Sequence, residues 1–174
     1  MEEIFDVYTR EGEYLGTAPK SICHSSNPGF YHKPAWMWII NSKNEVLVQK
    51  RASCKRTCAN LWENCGGHVE AGESMINGAI REVYEELGIK TKEEDYIFLF
   101  DYVCDITFEI ATVYLLKLDL DISEFKIKED EVSDIKWLTY DEFKKLFYSN
   151  EFVGYGIDYK DLVVNTLDKY LKGE

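Results

Sequence analysis

Basic residues, prolines and long apolar segments are all scarce in this sequence, and two of these scarcities exclude classes of function. The 174 residues include 20 Lys and Arg against 32 Asp and Glu, for a formal net charge of −12. Polynucleotide binding requires many contacts between cations and phosphates, so no polynucleotide partner is expected. The longest apolar run, residues 35–40, is far shorter than the roughly 20 residues of a membrane span. No membrane partner is therefore expected either.

The start of the chain and its cysteines predict the compartment. The first three residues are Met-Glu-Glu, and no apolar segment of the kind found in secretory signals follows them. The five cysteines are odd in number, which favours reduced thiols in a cytoplasmic protein. Three cysteines and a histidine offer an alternative zinc site with irregular separations, namely Cys54, Cys58, Cys65 and His68.

The pattern of apolar residues predicts one domain, residues 1–174, of the α/β (α+β) class with a mixed sheet flanked by helices. All three prolines precede residue 35, which leaves the rest of the chain free to form regular elements. An N-terminal β-hairpin over residues 4–15 and a loop over 21–33 come first. The remaining predicted strands are 34–40, 45–50, 96–104, 107–118 and 135–138, and the predicted helices are 73–87, 139–148 and 158–172, with residues 51–72 irregular.

Charge is distributed unevenly along the chain. Residues 1–66 carry 8 basic and 7 acidic residues, whereas residues 67–174 carry 12 basic and 25 acidic residues. The near-neutral part contains a basic cluster of Lys50, Arg51, Lys55 and Arg56. A small phosphate ligand suits so compact a cluster, and solvated loop charge is the alternative interpretation.

The helix at 73–87 has the strongest chemical signal. Glu82, Glu85 and Glu86 are spaced i, i+3 and i+4, so they share one helical face. Three neighbouring carboxylates repel one another, and a divalent cation such as Mg²⁺ or Mn²⁺ removes that penalty. A solvated acidic face is the alternative. Gly78 inside the helix predicts close packing at that point.

The loop before this helix completes a recognisable motif. Gly67, Glu73, Arg81-Glu82, Glu85-Glu86 and Gly88 fill the spacing of a motif over residues 67–89 that resembles the Nudix box. The resemblance implies a Nudix-type α/β/α sandwich that hydrolyses a diphosphate linkage in a small molecule, using Mg²⁺ or Mn²⁺. It also implies roles for single residues: Gly67, Glu82, Glu85 and Glu86 as metal ligands, with Glu131 as a further ligand and Glu129 or Glu109 as alternatives to it. The implied catalytic residues are Glu82, Glu86 and Arg81, where Arg81 pairs with Glu73 or a box glutamate and fixes its orientation. The implied phosphate-binding residues are Lys50, Arg51 and Lys55.

A second resemblance leaves an alternative open. Residues 64–68, Asn-Cys-Gly-Gly-His, are similar to isopentenyl-diphosphate isomerase, a relative that moves a double bond. That similarity implies a different metal cluster, formed by His24, His32, His68 and Glu109. Gly66 stands where the isomerase has its catalytic cysteine, and the Nudix box is complete here, so hydrolysis is the preferred prediction. A metal- or nucleotide-binding protein without activity is the third possibility, and the hairpin edge offers a site for a homodimer.

Overall fold

The strands of this chain form one large sheet. The computed structural model describes residues 2–173. The strands are β1 (Ile4–Tyr8), β2 (Tyr14–Pro19), β3 (Tyr31–His32), β4 (Pro34–Ile40), β5 (Val46–Arg51), β6 (Trp62–Glu63), β7 (Cys65–His68), β8 (Tyr96–Cys104), β9 (Glu109–Lys117) and β10 (Val132–Leu138). The helices are α1 (Lys20–Cys23), α2 (Met75–Leu87), α3 (Tyr140–Phe147) and α4 (Ile157–Lys172).

The sheet is mixed, and its order is β10-β5-β4-β9-β3-β1-β2. Strand β9 runs parallel to both β4 and β3, whereas the other pairings are antiparallel. The short strands β6 and β7 pair with β5 and β4, and β8 pairs with β9. The centre of the sheet therefore joins segments from both halves of the sequence.

Helices cover both faces of the sheet, which confirms the predicted α/β/α sandwich. Side chains of β4 alternate between the two faces: Met37 and Ile39 pack against α2, while Trp38 and Ile40 pack against α3 and α4. The central strand β9 is apolar on both faces because each face is covered by a helical layer. The described helices include none long and apolar enough to cross a membrane.

Local signals set the limits of α2, the helix with the clustered glutamates. The Ser74 hydroxyl accepts a hydrogen bond from the Asn77 amide at 3.3 Å and caps the N-terminus. Gly88 ends the helix in the left-handed conformation at φ 69°. Gly78 packs closely, as predicted, because a Cβ there would lie 2.7 Å from Val69 Cγ2.

Two stretches predicted to be irregular contain regular structure. The loop prediction for 21–33 is wrong at its ends, where α1 and β3 form, and the irregular prediction for 51–72 misses β6 and β7. These elements have two to four residues, too few for a periodic pattern, and pairing with distant strands defines them. His32 pairs with Glu109, for example. The hairpin of β1 and β2 forms as predicted, and its role in a homodimer stays a prediction.

Candidate active site

Strand β7 brings its backbone against the acidic face of α2. Gly67 pairs with Ala35 of β4, and its α-carbon faces the Glu82 side chain. A Cβ at this position would lie 2.2 Å from the Glu82 carboxyl carbon. Only glycine allows this approach, so the Glu82 carboxylate lies directly against the backbone of Gly67.

Arg81 connects the loop to the helix. Its guanidinium donates to Glu73 at 2.9 and 3.2 Å and to Glu82 at 2.8 Å, and it lies 3.5 Å from Glu85. It also donates to the main-chain oxygen of His68 at 2.8 Å. With its charge shared among these acceptors, Arg81 orients the box carboxylates, which is the role that the resemblance implies.

Glu86 is buried at the end of this face. Gln49 Nε2 donates to its Oε2 at 3.0 Å, the Cys65 thiol donates at 3.2 Å and the Gly66 amide at 3.3 Å. Burial, together with the nearby Glu63 and Glu82 carboxylates, raises the pKa of Glu86 to about 8. The sequence does not indicate this contact, because Gln49 lies on β5 and Glu86 on α2, 37 residues further along the chain.

The acidic face fits a hard divalent cation. Its donors are the carboxylates of Glu82, Glu85 and Glu86 and the carbonyl of Gly67, all oxygen ligands of the kind that Mg²⁺ and Mn²⁺ prefer. Burial also raises the pKa of Glu82, which a bound cation would reverse. Among residues 2–173, these box carboxylates do not form a group with all ligand atoms within 4.8 Å, because Glu82 turns to Arg81 and Glu86 to Gln49.

A cavity of about 570 Å³ opens over the acidic face. Cations from four parts of the chain line it together with the box glutamates, namely Lys20, Arg51, Lys55, Arg56, Arg81 and Lys128. Lys50, predicted to bind phosphate, does not line the cavity. Its ammonium lies instead 5.6 Å from the ring centre of Trp62. Adjacent strand residues face opposite sides, so Lys50 and Arg51 could not both point inward.

Two of the predicted site residues are held in ion pairs. Arg51 binds both oxygens of Glu63 at 2.8 and 3.0 Å, so its charge is largely compensated. Lys55 pairs with Glu131, and Lys128 lies 3.8 Å from the same carboxylate. Glu131 therefore lines the cavity and contacts cations in this structure, and its role as a metal ligand stays a prediction.

The second predicted cluster is the more compact of the two. His24, His32, His68 and Glu109 each offer a ligand atom, and these four atoms lie within 4.8 Å of one another. His24 directly follows α1, and the other three residues come from β3, β7 and β9. His24 and His68 also line the cavity, so the cluster adjoins the acidic face.

His32 is the buried member of this histidine cluster. It is fully buried, and neither ring nitrogen has a hydrogen-bond partner, although Nε2 lies 3.5 Å from Glu109. Burial and the neighbouring histidines lower the pKa of His24 to about 4, and burial lowers the pKa of His68. Neutral imidazoles beside a carboxylate suit a divalent metal ion such as Zn²⁺ or Mn²⁺.

The cysteines are all free thiols. Cys54 and Cys58 are exposed, whereas Cys65 is buried. Over residues 2–173 no group of three or more metal ligands includes these cysteines, so the alternative zinc site is not formed.

Comparisons with known proteins agree with this geometry. The family model described as "NUDIX domain" matches residues 30–154. Nudix hydrolase 3 of Arabidopsis thaliana is 32% identical over 163 residues, covering 86% of this chain but only 21% of that protein. Isopentenyl-diphosphate delta-isomerase of Gibberella zeae is 31% identical and covers 84% of this chain and 67% of its own length.

Solved structures show the same fold. A Deinococcus radiodurans protein superposes with a TM-score of 0.74 at 19% identity, covering 94% of this chain and 99% of its own. The NUDIX domain of Shewanella oneidensis NrtR, solved with ADP ribose, superposes with a TM-score of 0.60 at 14% identity, covering 80% of this chain and 87% of its own. With the box carboxylates, the sequence relatives and the fold in agreement, the chain belongs to the Nudix family of pyrophosphohydrolases.

Proposed function

We propose that this chain hydrolyses a diphosphate linkage in a small molecule, with Mg²⁺ or Mn²⁺ held by Gly67, Glu82, Glu85 and Glu86. The observation that supports the proposal is the contact between Gly67 and the Glu82 carboxyl at the floor of a cavity with a cationic rim. When bound, such a cation binds phosphate oxygens and lowers the pKa of an attacking water.

The residues of the chain have separable tasks in this proposal. Arg81 keeps the Glu82 and Glu85 carboxylates in place, and Gln49 holds Glu86. Glu82 or Glu86 accepts the proton from the attacking water. Lys55 and Lys128 at the rim bind phosphate oxygens, and binding substrate breaks the contact of Lys55 with Glu131. Glu131 is then free to join the metal ligands.

The test is a phosphorus NMR time course with Mg²⁺ on nucleoside triphosphates, nucleotide sugars, dinucleoside polyphosphates and isopentenyl diphosphate. Wild type should cleave at least one diphosphate, and Glu86→Gln should lower turnover at least about 100-fold, because it removes a charged ligand. Glu94→Gln, an exposed carboxylate outside the cavity, is the matched control. Equal turnover in both variants contradicts the assignment of the metal ligands.

Isomerase activity is the second candidate, and the histidine cluster is the observation that favours it. We propose that this cluster, His24, His32, His68 and Glu109, holds a second divalent ion. The Cys65 thiol is buried against Glu86 and does not line the cavity, so it is poorly placed for proton transfer to a substrate. Proton NMR of the same samples separates the candidates, since only isomerisation produces dimethylallyl diphosphate.

A further inference from the structure

The lining of the main cavity restricts the group that the substrate diphosphate can be attached to. Within residues 2–173, the imidazoles of His24 and His68 are the only aromatic rings that line this cavity, and no aliphatic side chain lines it: the other walls are charged groups, a hydroxyl, a thiol and glycines. A nucleobase is normally held by stacking on an aromatic side chain, and a prenyl chain requires apolar surface. Apolar surface for a prenyl chain is not available beside the box glutamates. The two imidazole rings belong to the histidine cluster, where they pack on each other with ring centres 4.6 Å apart.

The tryptophans Trp36 and Trp62 do not line this cavity. Trp36 packs on Tyr155 with ring centres 5.2 Å apart, within the core formed by the sheet and α4. The Tyr155 hydroxyl donates to Asn64 at 2.9 Å. Trp62 is covered by Lys136, whose ammonium lies 4.0 Å from the ring centre. These rings are therefore not free to stack on a substrate.

Two cations that line the cavity, Arg56 and Lys20, differ from the others in their contacts or in their position in the chain. Arg56 forms no ion pair and no side-chain hydrogen bond with any residue between 2 and 173, unlike Arg51 and Arg81. Lys20 comes from α1, outside residues 30–154 that match the family model, and its ammonium pairs with Glu3 at 2.8 Å. An unpaired arginine at a cavity wall is a ready partner for phosphate oxygens, which it binds through two parallel hydrogen bonds.

We propose that the diphosphate is carried by a polar, non-aromatic group that bears at least one further phosphate, such as a phosphorylated sugar or polyol. Arg56 binds this additional phosphate, and Lys20 lines the same cavity from the N-terminal segment. In this proposal Glu82, Glu85 and Glu86 with their cation bind the diphosphate. The cations of the cavity wall are then available to bind the rest of the substrate. This inference rests on the proposed hydrolysis and specifies its substrate class.

The experiment compares kcat/KM on three kinds of substrate in Mg²⁺. 5-Phosphoribosyl 1-diphosphate and a diphosphoinositol polyphosphate have phosphorylated carriers, ADP-ribose has a nucleoside, and isopentenyl diphosphate has a prenyl group. We expect kcat/KM to be at least about tenfold higher for a phosphorylated carrier, the effect of one good charged contact. Equal or faster cleavage of ADP-ribose or isopentenyl diphosphate overturns the inference and leaves the hydrolase proposal intact.

Arg56→Ala tests the contact itself. It should raise KM for the phosphorylated carriers at least about tenfold and change KM for isopentenyl diphosphate less than twofold. Lys43→Ala is the matched control, because Lys43 lies in the exposed turn between β4 and β5 and outside the cavity. A loss that is the same for every substrate assigns Arg56 to the diphosphate itself and contradicts the proposal.

Equilibrium binding to Glu86→Gln separates the two proposals if turnover is absent. Titration calorimetry would use 5-phosphoribosyl 1-diphosphate and ADP-ribose as the probes. Preferential binding of the phosphorylated sugar without any cleavage by wild type supports the substrate class and contradicts hydrolysis. Equal or no binding of both probes contradicts the substrate class.

Discussion

At the scale of single residues, the sequence predicts the position of Glu86 on its helix but not its burial. The helical spacing placed Glu82, Glu85 and Glu86 on one face, and the structure has them there. Their different surroundings depend on tertiary contacts. Glu86 is buried beside Gln49, while Glu85 stays half-exposed. A helical pattern holds no information on which neighbour from another strand meets each side chain.

The raised pKa of Glu86 predicts that the free energy of unfolding falls as pH rises. Its pKa is about 8 in the folded chain against 4.5 for an ordinary glutamate. The unfolded chain therefore releases this proton at lower pH, and the stability contributed by the group is lost as pH rises from about 4.5 to 8. Without metal, Glu86→Gln should be more stable than wild type at pH 8 by on the order of 2 kcal/mol and nearly equal at pH 4.5.

Urea unfolding in EDTA at the two pH values measures this difference. Mg²⁺ should narrow the gap at pH 8, since the cation stabilises the ionised form of wild type. Glu94→Gln, an exposed carboxylate, should change the free energy of unfolding by less than about 0.5 kcal/mol at both values. A gap that is the same at both pH values would show that the Glu86 carboxyl is not perturbed by burial.

At the scale of elements, long periodic segments were predictable and short ones were not. The strand at 34–40 and the strand at 96–104 have the predicted limits, because their apolar pattern or length is sufficient by itself. The four-residue strand β7 is different. Its two glycines have low strand propensity, and it exists because it pairs with β4. It nevertheless supplies the backbone that lies against Glu82 on the acidic face of α2.

Gly78 of α2 packs against Val69, which follows β7. This contact predicts that alanine at position 78 destabilises the fold, although helix propensity alone predicts the opposite. Alanine at position 78 should strengthen an isolated helix by about 1 kcal/mol. In the folded chain its Cβ would lie 2.7 Å from Val69, which is buried and, as a β-branched residue, cannot turn aside easily. Gly78→Ala should therefore lower the free energy of unfolding by about 1–3 kcal/mol in urea titrations.

A double variant attributes this effect to the contact. Val69→Ala removes the methyl groups that the new Cβ would meet, so Gly78→Ala should cost less in the Val69→Ala background than in wild type. Asn77→Ala, an exposed neighbour on the same helix, should be neutral or stabilising. Additive effects of the two substitutions would place the cause outside this contact.

At the scale of the whole molecule, the histidine cluster joins segments that are distant in sequence. His24 follows the N-terminal hairpin, His32 and His68 lie on β3 and β7, and Glu109 begins β9. The sequence offered these four residues only through a resemblance, because no spacing rule connects positions 24 and 109. Strand pairing brings them together, with His32 directly beside Glu109. A metal ion here would cross-link the segment after α1 to β3, β7 and β9.

Metal binding at this cluster should therefore stabilise the entire fold. A ligand that binds only the folded chain adds about 2.7 kcal/mol at a concentration 100 times its Kd. Thermal unfolding with and without Mn²⁺ would use the Glu86→Gln chain, in which the box site is weakened. We expect Mn²⁺ to raise its Tm and to raise that of Glu86→Gln/His24→Gln much less. Because His24 is exposed, the second substitution should leave the metal-free Tm nearly unchanged. Equal stabilisation of both chains by Mn²⁺ would mean that the ion binds elsewhere and that the four side chains meet without a metal between them.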